Sequence, residues 1–278
     1  MAELCDNVFR SPLGKKTEYV SVYTPSLLCP IPRAETRKEI GIDDSLPFRG
    51  MDMWTGYEIS WLDIKGKPHV VVGQFLFPCS SPSLVESKSF KLYLNSLNQT
   101  RFNTQNEVLN TLESDLSTAV GAPVMVDLLP LSKAAQGGIG HFAAENIDAL
   151  DVEINDYQVN PAYLATDEMS PTVRESICSD LLKTNCPVTG QPDWASVMIS
   201  YRGHPIDRSG LLKYIISFRE HQGFHENCVE RIFIDIQEKC QPEQLTISAR
   251  YTRRGGLEIN PWRSTDESEL PQVRLVRQ

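Results

Sequence analysis

Residues 56–77 read GYEISWLDIKGKPHVVVGQFLF, and this stretch predicts the element from which the fold is built. Apolar and polar residues alternate over Gly56–Asp63 and again over His69–Phe77, which is typical of half-buried strands. The residues KGKP at 65–68 separate the two runs and are a turn signal. The stretch therefore predicts two strands joined by a short turn.

The residues on either side of this strand pair predict further elements. Residues 1–50 are rich in Pro, Ser and charge and are interpreted as an irregular arm. The elements predicted after the pair are a helix at about Leu84–Leu97, a helix at about Gln105–Val120, a strand at Ala122–Leu129 and a flexible connection at Ser132–Gly140.

The second half of the chain predicts a similar set of elements. They are strands at Thr172–Leu182, Ala195–Arg202 and Leu211–Phe218, a helix at Phe224–Lys239, and a hairpin of Gln244–Arg250 with Gly256–Asn260. Strands, helices and strands again, twice over, predict an α+β fold with antiparallel sheets backed by helices.

Two carboxylates suggest an internal repeat. Glu86 and Glu226 both open a predicted helix and lie 140 positions apart, and Ile59 and Ile199 keep the same offset. We therefore interpret the chain as two diverged copies of one unit, over residues 1–140 and 141–278. A carboxylate can accept two parallel hydrogen bonds, so each could grip the N–H edge of a planar ligand.

Composition narrows the class of protein. The 278 residues are 41% hydrophobic and 23% charged, which is ordinary for a globular protein. The net charge of −9 argues against a direct nucleic-acid partner. Early acidic residues and the lack of a long apolar run predict neither a secretory signal nor a membrane span. Seven irregularly spaced cysteines indicate a reduced, cytoplasmic protein.

A possible catalytic pair lies in the loop TNCPVTGQPDW at 184–194. Cys186 could supply a thiolate nucleophile, and Asp193 could supply or remove a proton. The alternative is structural, with Cys186 as a small buried apolar residue and Asp193 as a turn former.

The other polar motifs can also be explained by a structural role that needs no ligand. Ser83 and Glu86 fit a capping box at a helix start, which would explain Glu86 without a ligand. The residues RRGG at 253–256 predict a hairpin turn. Alternatively they form a phosphate-binding site, to which Lys88 and Lys91 could add positive charge. The spacing His221, His225 and Cys228 does not match a closed zinc site, and no metal is expected.

Together these motifs resemble one family. ESKSFKLY at 86–93, NCPVTGQPDW at 185–194, FHE at 224–226 and TRRGGL at 252–257 are similar to the NADPH-dependent nitrile reductases called QueF, the 7-cyano-7-deazaguanine reductases. The resemblance covers nearly the whole chain, and the chain is similar to the long, two-domain branch of that family.

The resemblance implies a fold, an assembly and a reaction. It implies a tunnelling fold in each domain, with the ESKSFKLY motif in domain 1–140 and the cysteine loop in domain 141–278. It also implies a cytoplasmic homodimer that reduces the nitrile of 7-cyano-7-deazaguanine to an aminomethyl group with two NADPH, in queuosine biosynthesis for tRNA modification.

The same resemblance implies roles for individual residues. Cys186 would form a covalent thioimide and Asp193 would donate a proton. The substrate contacts would be Val85, Glu86, Ser87, His225 and Glu226. The NADPH contacts would be Ser87, Lys88, Arg254 and Gly255.

Two alternatives remain open at this point. A cyclohydrolase or pterin enzyme of the same fold would need a metal or a differently placed histidine, and would not need Cys186 or NADPH. A non-catalytic purine-binding module would bind the base reversibly and leave every cysteine unmodified.

Overall fold

The computed structural model of the chain describes residues 19–43, 45–266 and 273–278. Within these ranges the chain divides into two compact units. Of the described residues, unit 1 contains 19–39, Met51–Gly138 and Arg253–Ile259, and unit 2 contains 40–43, 45–50, Ile139–Thr252, 260–266 and 273–278. Residues 40–50 and 253–259 therefore each belong to the unit built mainly from the other half of the chain.

Unit 1 is an antiparallel sheet with two main helices. Its elements are strands β1 (Pro30–Pro32), β2 (Arg49–Leu62, in this unit from Met51), β3 (Pro68–Pro78), β4 (Ser83–Val85) and β5 (Met125–Pro130), and helices α1 (Ala34–Lys38), α2 (Ser87–Ser96), α3 (Gln105–Val120) and α4 (Leu131–Ala134). The sheet has the order β5-β3-β2, and β1 pairs with β4. Apolar residues of the strands, α2 and α3 form one core cluster, which explains why these helices form.

Unit 2 is also built from antiparallel strands and two main helices. Its elements are strands β6 (Glu145–Asn146), β7 (Val173–Asn185), β8 (Pro192–Gly203), β9 (Gln244–Tyr251) and β10 (Leu257–Ser264, in this unit from Asn260), and helices α5 (Arg208–Ser217) and α6 (His225–Cys240). The strands have the order β10-β9-β8-β7-β6, and only β6 is parallel to its neighbour. Ile177, Ile199 and Ile247 form a fully buried row across β7, β8 and β9. The predicted α+β fold with antiparallel sheets is confirmed.

The repeat is real, but its offset is about 120 residues and not 140. Tyr93 of α2 donates a hydrogen bond to Asp115 of α3 at 2.7 Å, and Tyr214 of α5 donates one to Asp235 of α6 at 2.6 Å. The two tyrosines are 121 positions apart and the two aspartates 120. The first strand of each pair also carries an irregularity, between Gly56 and Ile59 in β2 and between Ser179 and Leu182 in β7.

In each unit, a serine at the end of the first main helix is hydrogen-bonded to the segment that precedes the strand pair. Ser96 donates to the carbonyl of Tyr93 and accepts from the N–H of Thr24, and Ser217 does the same with Tyr214 and Asn160. Thr24 and Asn160 each precede a single 3₁₀ turn, Pro25–Leu27 and Pro161–Tyr163. The 140-residue offset predicted from Glu86 and Glu226 is therefore wrong, because it aligns the first helix of one unit with the second helix of the other.

The predicted strand at Leu211–Phe218 is also wrong, since this segment lies in helix α5 and the 3₁₀ turn Phe218–Glu220. Leu211, Tyr214, Ile215 and Phe218 are buried at helical spacing. The Asp207 carboxylate accepts a hydrogen bond from the N–H of Gly210 at 2.7 Å and caps the helix. The Asp207 cap and the helical spacing of the buried residues favour a helix here.

Part of the predicted irregular arm, from β1 to α1, is ordered. Arg33 is buried and donates a hydrogen bond to the buried Asp52 at 2.6 Å. Arg37 is buried as well and donates to the carbonyl of Cys79 at 2.6 Å. Buried charges require such partners, and these partners lie far away in sequence. The first 18 residues of the predicted arm lie outside the described residues.

Among the described residues, no helix is both long enough and apolar enough to cross a lipid bilayer.

The repeated Tyr–Asp bond yields a prediction about stability. Tyr214→Phe removes a hydrogen bond to a buried carboxylate and should lower the free energy of unfolding by about 1.5–3 kcal/mol. Tyr93→Phe should cost less, because Asp115 also accepts a hydrogen bond from Tyr23 at 2.6 Å. Denaturant unfolding of both variants, with the half-exposed Tyr157→Phe as control, measures the difference. Equal losses at Tyr93 and Tyr214 would contradict this account.

Candidate active site

Helix α2 begins at a buried carboxylate. The N–H of Glu86 donates to the carbonyl of Cys29, which fixes the end of β4. The Glu86 side chain accepts hydrogen bonds from the N–H groups of Lys88 at 2.6 Å and Ser89 at 2.8 Å. Glu86 is therefore the N-cap itself, whereas Ser83 lies in β4. The predicted capping box with Ser83 as N-cap is wrong, although the capping role of Glu86 is confirmed.

Burial determines the electrostatics of this cap. Glu86 is 1% exposed, and burial raises the pKa of its carboxyl above the ordinary value of 4.5 against the opposing hydrogen bonds of the helix N–H groups. The pKa of the nearby Cys29 thiol is raised mainly by burial of that thiol and, to a smaller extent, by the negative charge of Glu86. Asp207 is the structural counterpart of Glu86 in unit 2, but it is exposed to solvent.

Cys186 lies in a tight loop between β7 and β8. The N–H of Cys186 donates to the carbonyl of Gln191 at 2.8 Å, and the N–H of Gly190 donates back to the carbonyl of Cys186 at 3.0 Å. Gly190 has φ +68°, a conformation that glycine adopts without strain. Thr184 and Asp193 are directly opposite each other in the ladder that this loop closes. The ladder therefore holds Cys186 and Asp193, both 4% exposed, on one hairpin.

His225 and Glu226 are the first two residues of α6 and are buried. The imidazole Nε2 of His225 lies 3.4 Å from the carboxylate Oδ2 of Asp193. The loop before α6 is tied to the end of β7, since the N–H of Asn185 donates to the carbonyl of His221 and the N–H of Gly223 donates to that of Asn185. Unit 2 thus carries all four candidates, Cys186, Asp193, His225 and Glu226, and brings the His225 imidazole against the Asp193 carboxylate.

Tyr251 is a site residue that sequence reasoning missed. Its ring is stacked on the imidazole of His225, with ring centroids 3.8 Å apart and planes 4° from parallel. Burial raises the pKa of the Tyr251 hydroxyl well above 10. In the sequence, Tyr251 directly follows the predicted strand Gln244–Arg250. In the structure it ends β9 and lies opposite Ala195, on the strand that also carries Asp193.

Two further polar groups at this site stay neutral at pH 7. Burial raises the pKa of the Cys228 thiol to about 12. Burial and the charge of Arg231 lower the pKa of His221 to about 4. A methyl group on Gly223 would lie 2.9 Å from Nε2 of His221 and 3.3 Å from Sγ of Cys228, so these two side chains flank the glycine.

Several polar atoms at this site are buried. Within the described residues, Nδ1 of His225, Oγ1 of Thr184 and the hydroxyl of Tyr251 make no hydrogen bond of normal geometry. Thr184 and Tyr251 are nevertheless close enough to Cys228 to affect the pKa of its thiol. Thr184, Tyr251 and Cys228 therefore form one buried polar cluster beside His225.

The turn Arg253–Gly256 belongs to unit 1. Arg254 and Leu257 exchange backbone hydrogen bonds of 2.9 and 3.1 Å across Gly255 and Gly256, whose φ angles are +59° and +79°. This is the two-residue hairpin turn that the sequence predicts. No heavy atom lies within 4 Å of the position of a Cβ on Gly255, so a bound group can approach its backbone. The turn and the start of α2 carry the cations that fit an anionic cofactor.

Within residues 19–43, 45–266 and 273–278, no group of three or more His, Cys, Asp or Glu side chains is arranged to hold a metal ion.

Comparisons with known proteins relate the chain to one family. A family model described as "Nitrile reductase, 7-cyano-7-deazaguanine-reductase N-term" matches residues 19–128, and one described as "QueF-like protein" matches residues 192–270. The NADPH-dependent 7-cyano-7-deazaguanine reductase of Bordetella avium is 55% identical over 96% of this chain and 98% of its own. That of Dechloromonas aromatica is 56% identical over 99% and 98%.

One similar solved structure is that of the archaeosine synthase QueF-Like in the apo form. It is 17% identical and covers 36% of this chain and 99% of its own, with a TM-score of 0.31.

The capping role of Glu86 can be measured against its counterpart. Glu86→Ala and Asp207→Ala each remove a helix N-cap and should each lower the free energy of unfolding by about 1 kcal/mol at pH 7. Denaturant unfolding of the two variants measures this loss. Unfolding curves that match the wild type would show that neither cap stabilises its helix.

The raised pKa of Glu86 adds a pH dependence. A group whose pKa is higher in the folded chain contributes stability below its unfolded pKa and loses it as the pH rises through the folded pKa. The stability of the wild type relative to Glu86→Gln should therefore fall as the pH is raised above about 4.5. A difference that does not change with pH would contradict the burial of this carboxyl.

Proposed function

Since the chain belongs to the NADPH-dependent 7-cyano-7-deazaguanine reductases, we propose that it reduces the nitrile of 7-cyano-7-deazaguanine to an aminomethyl group. This is the reaction of an oxidoreductase in queuosine biosynthesis, and the relatives give no support to a cyclohydrolase or a purine-binding module. The observation that supports the proposal at the level of residues is the contact between Asp193 and His225 in unit 2, whose β7–β8 hairpin also carries Cys186.

The chemistry proposed for Cys186 is nucleophilic addition. Its sulfur forms a bond to the nitrile carbon, one C≡N π bond breaks, and the nitrogen gains a proton. The product is a thioimide, which accepts a hydride more readily than a nitrile. Asp193 is proposed to deliver the proton, and the His225 imidazole at 3.4 Å can exchange protons with this carboxyl. Cys228, with its high pKa, is a poor candidate for the nucleophile.

The buried polar groups are proposed to hold the substrate. Glu226 would accept hydrogen bonds from the ring N–H and exocyclic amine of the deazaguanine, as a carboxylate does in bidentate pairs. Nδ1 of His225 is a buried polar atom that a ligand can satisfy. Val85, Glu86 and Ser87 are proposed as further substrate contacts in unit 1. The carboxylate of Glu86 already serves two helix N–H groups, so its share of this task is its remaining acceptor capacity.

The residues proposed to bind NADPH are Ser87, Lys88, Arg254 and Gly255. NADPH supplies one hydride for each of the two reduction steps. The open approach to Gly255 and the cation of Arg254 suit a phosphate group. The chain's own part is to hold the cofactor, to exclude water and to retain the substrate between the two steps.

The assembly and the fold name are also proposals. We propose two tunnelling-fold domains, over residues 1–140 and 141–278, in a cytoplasmic homodimer with no direct nucleic-acid partner. Each half has two long strands, two main helices and a further strand, in the orders β2-β3-α2-α3-β5 and β7-β8-α5-α6-β9, and this supports the fold. The net charge of −9 supports the absence of a nucleic-acid surface.

Covalent capture tests the proposed function. Incubation with 7-cyano-7-deazaguanine, without NADPH, should add the mass of the nitrile to the protein at Cys186, as measured by intact-mass and peptide mass spectrometry. Cys186→Ala should lose both the adduct and the reduction, while Cys240→Ala, a buried cysteine at the end of α6, should keep both. An adduct on Cys228, or reduction by Cys186→Ala, would refute the role of Cys186.

The proton donor is tested separately. Asp193→Asn keeps the shape of the side chain but cannot donate a carboxyl proton, so turnover should fall by about 10²–10⁴-fold. Nitrile binding to this variant, measured by calorimetry, should persist. Asp167→Asn, at an exposed turn, is the control. Turnover of Asp193→Asn within about twofold of the wild type would assign the proton to another group.

A further inference from the structure

Glu58 connects the two motifs proposed for the cofactor, and no sequence pattern pointed to it. It lies in the irregular part of β2 between Gly56 and Ile59. Its carboxylate forms an ion pair with the ammonium group of Lys91, on helix α2. Lys91 follows Lys88 by three positions, so the two lysines lie on the same side of the helix start.

On its other side, Glu58 touches the glycine turn. A Cβ on Gly256 would lie 2.8–3.0 Å from the carboxyl carbon and oxygens of Glu58. The neighbouring N–H of Tyr57 donates to the carbonyl of Gly256 at 3.0 Å, and the Arg253 guanidinium lies 4.9 Å from the centre of the Tyr57 ring. The carboxylate therefore lies against the turn, with the cation of Lys91 paired to it.

This arrangement places a negative charge where an anionic ligand is expected. A phosphate that approached the turn and the start of α2 would be repelled by Glu58 and attracted by Lys91. The Glu58 side chain is 63% exposed, so it can rotate into solvent. Exposed ion pairs contribute little to stability, and breaking this one costs correspondingly little.

We propose that Glu58 is a built-in competitor of the cofactor phosphate. In the free protein it neutralises Lys91, and on binding a phosphate group of NADPH takes its place on Lys91. Lys91 is accordingly a phosphate-binding residue, and Glu58 lowers the affinity for NADPH. This inference rests on the proposed function, since it concerns the same cofactor.

Calorimetric titration of the intact protein with NADPH, 2′,5′-ADP and ADP tests the proposal without any turnover. Glu58→Gln should bind NADPH about three- to tenfold more tightly, and Lys91→Met should bind it more weakly by a similar factor. In the Lys91→Met background, Glu58→Gln should have a smaller effect. A change for 2′,5′-ADP assigns the contact to the ribose phosphate, and a change for ADP assigns it to the diphosphate.

The control is Glu243→Gln, which removes an exposed ion pair with Arg202 in unit 2 and should leave all three affinities unchanged. Unchanged or weaker NADPH binding by Glu58→Gln would overturn the inference. If the wild type binds NADPH and forms the Cys186 adduct, that failure concerns Glu58 alone. If the wild type binds no NADPH, both the proposed function and this inference fail.

Discussion

The antiparallel ladder between β7 and β8 is the constraint on which the candidate active site depends. It closes on the six-residue loop that begins with Cys186, and it places Asp193 opposite Thr184. The next strand, β9, adds Tyr251 beside Ala195, and Tyr251 in turn supports the ring of His225. Cys186 and Asp193 are thus positioned by a backbone hydrogen-bond pattern, whereas His225 lies at the start of α6 and is stacked on Tyr251. Both arrangements favour a preorganised site.

Burial decides the protonation states around this ladder. His221 and Cys228 are pushed towards their neutral forms because a charge in the interior loses its hydration. The same effect acts on Glu86 in unit 1, although the N–H groups of α2 oppose it. An interior that keeps these neighbours neutral leaves few charges to compete with the groups proposed for the reaction.

The two units share a structural scheme but use it differently. Both connect their two main helices through a Tyr–Asp hydrogen bond, which is part-buried in unit 1 and buried in unit 2. In both, a serine accepts a hydrogen bond from the segment that precedes the strand pair. At the start of the first helix, however, unit 1 has a buried glutamate and unit 2 an exposed aspartate. The interactions that hold the helices together are thus the same in both units, whereas the helix starts differ.

The sequence by itself determined the strand pairs, the helix at Gln105–Val120, the glycine turn and the family, because these depend on local periodicity, turn chemistry and uninterrupted motifs. It also identified Cys186, Asp193, His225 and Glu226 as candidates. Only the tertiary structure decided that residues 211–218 form a helix, that Arg33 is ordered by Asp52, and that Tyr251 and Glu58 stand beside the proposed sites. These features arise from contacts between residues distant in sequence, where burial and hydrogen bonding outweigh local preference, and no local pattern records them.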